Sequence, residues 1–259
     1  MEKITVVKIG GNVIDSAEAF GPFMESFAKL EGPKILVHGG GKIATRLAQK
    51  MEIETTMIEG RRVTDKAMLD IVTMTYAGLI NKDVVATLQK HGCNVIGLSG
   101  ADGNAIKATK RPANPIDFGF VGDIDPANVN APFLKTLLEA GVTPVFSAIM
   151  HNGEGVLLNC NADTVASSVA LGVAEVAPTE LIFCFEKRGV LKDINDNSSV
   201  IENITPQNYA EYKSQGVINT GMIPKIDGAL KAVSKGVKRV TIKHSEDLLC
   251  PKSGTSITE

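Results

Sequence analysis

The sequence lacks a CxxC pair, and its four histidines and four cysteines are scattered. A zinc site needs such residues clustered, so the sequence argues against one. Cys93, Cys160, Cys184 and Cys250 have mostly apolar neighbours, as in Ile182-Phe183-Cys184-Phe185. They read as small buried hydrophobes in a reducing compartment. Neither sign of charge is in clear excess: 27 Lys and Arg face 29 Asp and Glu, interspersed along the chain. A nucleic-acid binder usually shows a basic surplus, so that class is disfavoured. No apolar run approaches the length of a membrane span. Met1-Glu2-Lys3 leads straight into a short β-branched stretch, unlike a signal peptide, so cytoplasm is the default location. No internal repeat or low-complexity linker interrupts the chain.

What is present is alternation. Ile4 to Ile9, Ile35 to Val37, Asn94 to Leu98, Pro144 to Ile149, Leu181 to Phe185 and Val240 to Ile242 read as strands. Between them, Phe20, Phe23, Met24 and Phe27 recur at helical spacing after the capping candidates Asp15 and Ser16. Further helices are predicted over 42–50, 131–140, 164–171, 206–215 and 222–235. A long helix opens at Thr64-Asp65 and runs to about His91, with Gly78 as its weak point. Residues 52–63 read as a possible hairpin, Asn152-Gly153 as a hairpin turn, and 99–125 as loop with short strands. The 259 residues therefore predict an α/β protein with a mainly parallel sheet covered on both faces, one body with two lobes and a soft boundary near Pro178.

Two glycine turns follow early strands: Lys8-Ile9-Gly10-Gly11-Asn12 and Val37-His38-Gly39-Gly40-Gly41-Lys42. Ligands of parallel sheets bind beyond the carboxyl ends of strands, where exposed backbone N–H groups can hold an anion. Neither turn is GxxxxGK[ST] or GxGxxG, so each alone reads equally as a tight turn. Lys8 interrupts an apolar strand, and a buried lysine is costly unless paired. It is either an exposed strand-end residue or a cation aimed at phosphates. In Leu158-Asn159-Cys160-Asn161-Ala162-Asp163-Thr164, either Asn161 or Asp163 can cap the next helix. Lys225, in Gly221-Met222-Ile223-Pro224-Lys225, sits in the first turn of a helix, where a cation opposes the dipole unless an anion is near. Arg61-Arg62 offers a bidentate fork for a carboxylate, or is a solvated pair.

Taken in order, KIGG at 8–11, HGGGK at 38–42, GRRVT at 60–64, LNCNAD at 158–163 and GMIPK at 221–225 resemble the amino acid kinase family. The likeness spans about Lys3 to His244 and is strongest to members that phosphorylate an N-acylated glutamate in arginine biosynthesis. It implies a three-layer α/β/α sandwich of the carbamate-kinase-like type. An N-lobe of about 1–177 would hold the acyl-amino acid, and a C-lobe of about 178–259 would hold ATP. By this resemblance Lys8 and Lys225 stabilise the transferring phosphoryl group and Asp163 orients both. Gly40 and Gly41 bind substrate through backbone N–H, Arg62 clamps a carboxylate, and Asn159 fixes the amino acid. Gly10, Gly11, Glu186, Gly189, Leu191, Asn219 and Lys225 contact the nucleotide. Mg2+ rides on the ATP phosphates, with no firm protein ligand. The acceptor would be N-acetyl-L-glutamate, or N-succinyl-L-glutamate if the 99–122 stretch shapes a larger pocket. N-acylation would keep the amine from cyclising onto the activated carboxyl group.

Two features depart from the family pattern. A Thr/Ser-Asp-Val-x-Gly segment is replaced by Phe185-Glu186-Lys187-Arg188-Gly189-Val190-Leu191, which alters shape and charge on the nucleotide side. The chain starts almost at the first strand, without the extra N-terminal helix of arginine-inhibited members. Weak or absent arginine inhibition and a homodimer are expected. The rival readings are an amino acid kinase for another carboxylate, or a ligand sensor that kept the fold and lost turnover. Retention of both lysines speaks against the sensor.

Overall fold

The β-branched run that opens the chain becomes the middle of the molecule. In the computed structural model, which describes residues 2–58, 60–218 and 221–259, eight strands form one sheet. They are β1 (Ile4–Ile9), β2 (Lys34–His38), β3 (Val95–Leu98), β4 (Thr143–Phe146), β5 (Thr179–Phe185), β6 (Asn203–Ile204), β7 (Arg239–His244) and β8 (Thr255–Ile257). Their order is β6-β8-β7-β5-β1-β2-β4-β3. The six strands from β7 to β3 run parallel, and β8 is antiparallel to β7. All six residues of β1 are buried. Continuous Ile, Thr and Val suit a strand covered on both faces, where alternation with polar residues would leave one face unsatisfied. β1 pairs directly with β5, so the sheet is continuous across the expected boundary at Pro178.

The helices follow from their apolar stripes and caps. Ala17–Lys29 buries Phe23, Met24 and Phe27, and Ser16 caps it by accepting from the Ala19 amide. Asp65 does the same for Met68 at the start of a helical run that continues unbroken from Lys66 to Lys90. Gly78 does not break this run. Instead Thr73–Ile80 widens into a π-helix around it. Within the hairpin expected over 52–63, Met57–Ile58 pairs antiparallel with Arg61–Arg62, and Asn152-Gly153 turns between Ile149–His151 and Leu157–Asn159.

Three sequence expectations need correction. The strand expected over 144–149 is two strands, Thr143–Phe146 and Ile149–His151. At the break the Ser147 amide donates to Leu98 O, while the Gly100 amide donates to Ile149 O. Cys250 is exposed, not buried like Cys93, Cys160 and Cys184. It lies in the turn after β7, where no apolar partner covers it. Gly11–Asp15 forms a short helix, and β6 and β8 are strands of two and three residues. These are too short to leave a periodic signal.

Candidate active site

Alternation along the strands decides which side chains meet. Lys8 is paired in register with Phe183, and Cys184 with Lys243. Lys8, Phe183 and Phe185 therefore share one face of the sheet, and Lys243 points from the other. The helix Ala162–Ala174 packs on β1 and β5. Asn161 caps it, its Oδ1 accepting from the amides of Asp163 at 2.9 Å and Thr164 at 3.1 Å. That resolves the capping alternatives and leaves the Asp163 carboxylate free to reach Lys8, whose Nζ lies 2.7 Å from Asp163 Oδ1. The contact is an ion pair without good hydrogen-bond alignment, since the same oxygen has no hydrogen-bond partner among the described residues.

Buried lysines occur elsewhere, and their partners separate structure from chemistry. Lys34 donates to Ala28 O and Leu30 O at the end of a helix. Lys243 donates to Cys250 O and Asp247 O, tying a turn. These two satisfy backbone carbonyls. Lys8 instead faces open space shared with a carboxylate. Lys225, third in the helix Ile223–Ser234, comes to the same place. Its ammonium titrates below the ordinary lysine value because burial disfavours charge, and Lys8 adds repulsion. Asp163 and Glu186 oppose the shift.

Two cavities meet at Lys8 and Gly11. The first, of about 260 Å³, is lined by Lys8, Arg61, Arg62 and Arg111 and, among the described residues, by no carboxylate. Gly39, Gly40 and Gly41 form its floor at the start of the helix Gly41–Lys50. Arg62 is buried, its Nη2 donating to Gly41 O and to Thr45 Oγ1, both at 2.9 Å. Asn159 is buried too and donates to Thr64 Oγ1 at 3.0 Å. Gly40 has φ 153°, and a Cβ there would lie 2.1 Å from Ile80 Cδ1. His38, fully buried, holds the turn between these parts. Its Nδ1 is within 2.9 Å of Gly39 O and its Nε2 within 3.1 Å of Asn81 Nδ2. Burial pushes its pKa down to about 4, so the imidazole is neutral at pH 7. The assignment that fits has Nδ1–H donating and Nε2 accepting.

The second cavity, of about 420 Å³, is bounded by Gly10, Gly11, Phe185, Glu186 and Lys225. Lys42 Nζ donates to Asn12 Oδ1 at 2.6 Å, which ties the two glycine turns together. Of the nucleotide-side residues expected from sequence, Gly189 and Leu191 line neither cavity. Both are buried, and the Val190 amide between them donates to Thr255 Oγ1 under β8. Asn219 lies outside the described residues. Sequence reasoning missed Arg111, which lines the first cavity while its Nε donates to Asp123 Oδ2 at 3.0 Å and its guanidinium lies over Phe118. Its neighbours Lys110 and Pro112 gave no spacing from which to find it.

The arrangement suits transfer of a phosphoryl group between two anions. One cavity is cationic, the other has glycine amides at a helix start, Lys8 stands where they meet, and Lys225 lines the second. Over residues 3–244 the chain matches the amino acid kinase family. It is 50% identical over 250 residues to an acetylglutamate kinase of Cytophaga hutchinsonii, covering 96% of this chain and 94% of that one. It is 47% identical to an acetylglutamate kinase of Phocaeicola vulgatus, covering 93% of each. The solved structure of smu.665 from Streptococcus mutans superposes with a TM-score of 0.78 at 30% identity, covering 100% of this chain and 99% of that one. The sandwich, the glycine turns and the paired lysines agree with these matches: the chain belongs to the amino acid kinase family.

Proposed function

We propose that this protein transfers the γ-phosphoryl group of ATP to the side-chain carboxylate of N-acetyl-L-glutamate, giving an acyl phosphate and ADP in arginine biosynthesis. The observation that carries the reading is the convergence of Lys8, Asp163 and Lys225 where a cavity lined by Arg61, Arg62 and Arg111 meets a glycine-lined one. An acylated glutamate brings two carboxylates, and the first cavity offers Arg61, Arg62, Arg111 and Lys8 to receive them. Arg62 would clamp one through N–H groups not used by Gly41 and Thr45. Gly40 and Gly41 would donate backbone N–H, and Asn159 would hold the amino acid.

The chemistry asks little more of the protein. A carboxylate with pKa of about 4.3 is already ionised at pH 7, so no general base is needed. Its oxygen attacks the γ-phosphorus, an O–P bond forms, the bond to the β-phosphate oxygen breaks, and ADP leaves with the electron pair. Lys8 and Lys225 would neutralise charge on the transferring group. Asp163 would keep the two ammonium groups apart and aimed. Gly10, Gly11 and Glu186 would border the ATP phosphates and nucleoside. Gly189 and Leu191 would act from beneath, through the packing of the 185–191 turn. Among the described residues no three His, Cys, Asp or Glu converge as metal ligands. Mg2+ would ride on the ATP phosphates, where it would offset their charge.

The N-lobe, about 1–177, would carry the acyl-amino acid and the C-lobe, about 178–259, the nucleotide. A homodimer is part of this reading. Met74 and Leu79 are exposed on the long helix beside edge strand β3, whose Ile96 is exposed as well, and sedimentation of the purified protein tests it. A cytoplasmic location fits a consumer of ATP; no helix among the described residues is long and apolar enough to cross a membrane.

The test is ADP release with ATP and magnesium, comparing N-acetyl-L-glutamate, N-succinyl-L-glutamate, free L-glutamate and L-aspartate. Turnover on an acylated glutamate alone supports the reading and names the acyl group. Turnover on a free amino acid keeps the kinase and overturns the Arg62 and Asn159 assignments. Silence from folded protein favours the sensor or an acceptor outside these four.

A further inference from the structure

Of the two lysines, Lys8 alone is in ion-pair contact with a carboxylate among the described residues; Asp163 and Glu186 act on Lys225 only at longer range. What Lys225 does touch is an aromatic face: its Nζ sits 3.6 Å from the centroid of the Phe185 ring, and Lys8 Nζ lies 5.3 Å from the same centroid. An aromatic face carries partial negative charge, and an ammonium over it is attracted most when water is excluded. Phe185 is itself held. It stacks on Phe183 two residues back, with ring centroids 6.1 Å apart and planes 16° from parallel. Both rings stand on the face of β5 that Lys8 occupies on β1.

We propose that Phe185 is a positioning residue for the phosphoryl-transfer lysines. Its ring face, in place of a second carboxylate, holds the Lys225 ammonium beside Lys8 and offsets their repulsion before ATP arrives. A carboxylate there would compete with the phosphates' own negative charge for Lys225. A ring attracts the ammonium without a formal charge and releases it cheaply. This rests on the kinase reading for its catalytic consequence, but the contact itself does not.

Two readouts test it. In the unliganded protein the Lys225 Hε protons, assigned with K225R, should resonate upfield of ordinary lysine positions through the ring current of Phe185, and F185L should return them. In turnover, F185L keeps apolar bulk and removes the ring face. It should lower kcat about tenfold, with KM for N-acetyl-L-glutamate within about twofold of wild type. F185Y restores a ring and should recover kcat to within about threefold of wild type. Ordinary Hε shifts in the wild type overturn the proposal whatever the activity. So does an F185L enzyme with wild-type kcat, or F185Y as slow as F185L. A wild-type protein that phosphorylates no acylated glutamate defeats the acyl-glutamate reading instead, and the Hε shifts still decide the contact.

Discussion

Asp163 Oδ1 stands 2.7 Å from Lys8 Nζ, one from the first turn of a helix and the other from the end of the central strand. The pair joins two segments more than 150 residues apart in sequence, and it does so at the junction of the two cavities. D163N removes the charge and keeps the shape. Lys8 then loses its partner, and Lys225 loses a compensating charge. Loss of one preorganised charge contact at a transition state costs about 10²–10³ in rate. We expect kcat for D163N to fall by about 10² and for K8A by about 10³, each in protein with native circular dichroism. Near-wild-type kcat in D163N would remove Asp163 from the proposed machinery.

How much of this was legible beforehand depends on the kind of signal. The sheet was readable because β1, β2, β5 and β7 are short, mostly apolar runs bounded by turns, and burial on both faces demands such runs. Lys8 and Lys225 stood out because each breaks a local rule, a charge in an apolar strand and a cation at a helix start. Arg111 breaks none. It reaches the first cavity only through the folding of a long loop and its pairing with Asp123. The ring of Phe185 was visible as a departure from the family pattern, but its stacking under Lys225 required the register of β5 against β1. Lys34 and Lys243 break the same rule as Lys8, and only their carbonyl partners distinguish them.

Arg62 is anchored at Nη2 by Gly41 O and Thr45 Oγ1, so its guanidinium plane is fixed before substrate binds. A lysine keeps the charge and loses both the fork and the anchor. R62K should raise KM for N-acetyl-L-glutamate by roughly ten- to a hundredfold, while KM for ATP stays within about twofold. Steady-state kinetics with each substrate varied in turn separates the two. Equal rises in both constants would place Arg62 outside the acyl-amino-acid site.

Gly40 and Gly78 make a matched pair of tests. At Gly40 a methyl group meets Ile80 Cδ1 at 2.1 Å and the backbone has φ 153°; at Gly78 nothing lies within 4 Å. G40A should destabilise the fold by about 2 kcal/mol and weaken substrate binding, because Ile80 must move or the turn must open. G78A should be neutral or stabilise by up to about 1 kcal/mol through lower chain entropy in the unfolded state. Urea unfolding of both variants decides it. A G40A protein as stable as G78A would mean that the turn adapts freely.

Lys225 must be an ammonium to serve the transferring phosphoryl group, and burial, with Lys8 nearby, holds its pKa below the ordinary lysine value. Its charged form is present at low pH and lost as pH rises through that depressed value. The kcat/KM profile should therefore show a descending alkaline limb below the pH at which a free lysine titrates. K225R replaces it with a cation that does not titrate in this range, so the limb should move to higher pH even though the rate is lower. An alkaline limb at the same pH in K225R would assign the titration to another group.

His38 gives the acid side of stability, and the sign follows from its burial. Its folded pKa lies at about 4, below the ordinary histidine value of 6.5, because the buried ring is costly to charge. At neutral pH both folded and unfolded chains carry the neutral imidazole, so the group contributes no pH slope. As pH falls below the unfolded value, the unfolded chain takes up a proton that the folded chain refuses, and stability declines until the folded ring titrates too. The loss accumulates to roughly 3 kcal/mol across that window. H38Q should be less stable at pH 7, since the contacts to Gly39 and Asn81 are disturbed. Its stability should nevertheless fall less steeply between pH 6.5 and 4 than that of the wild type. Denaturant unfolding of both proteins over that range gives the two slopes. Parallel slopes would mean that His38 takes up its proton in the folded state as readily as in the unfolded one, and that the turn carrying Gly39 and Gly40 does not depend on a neutral ring.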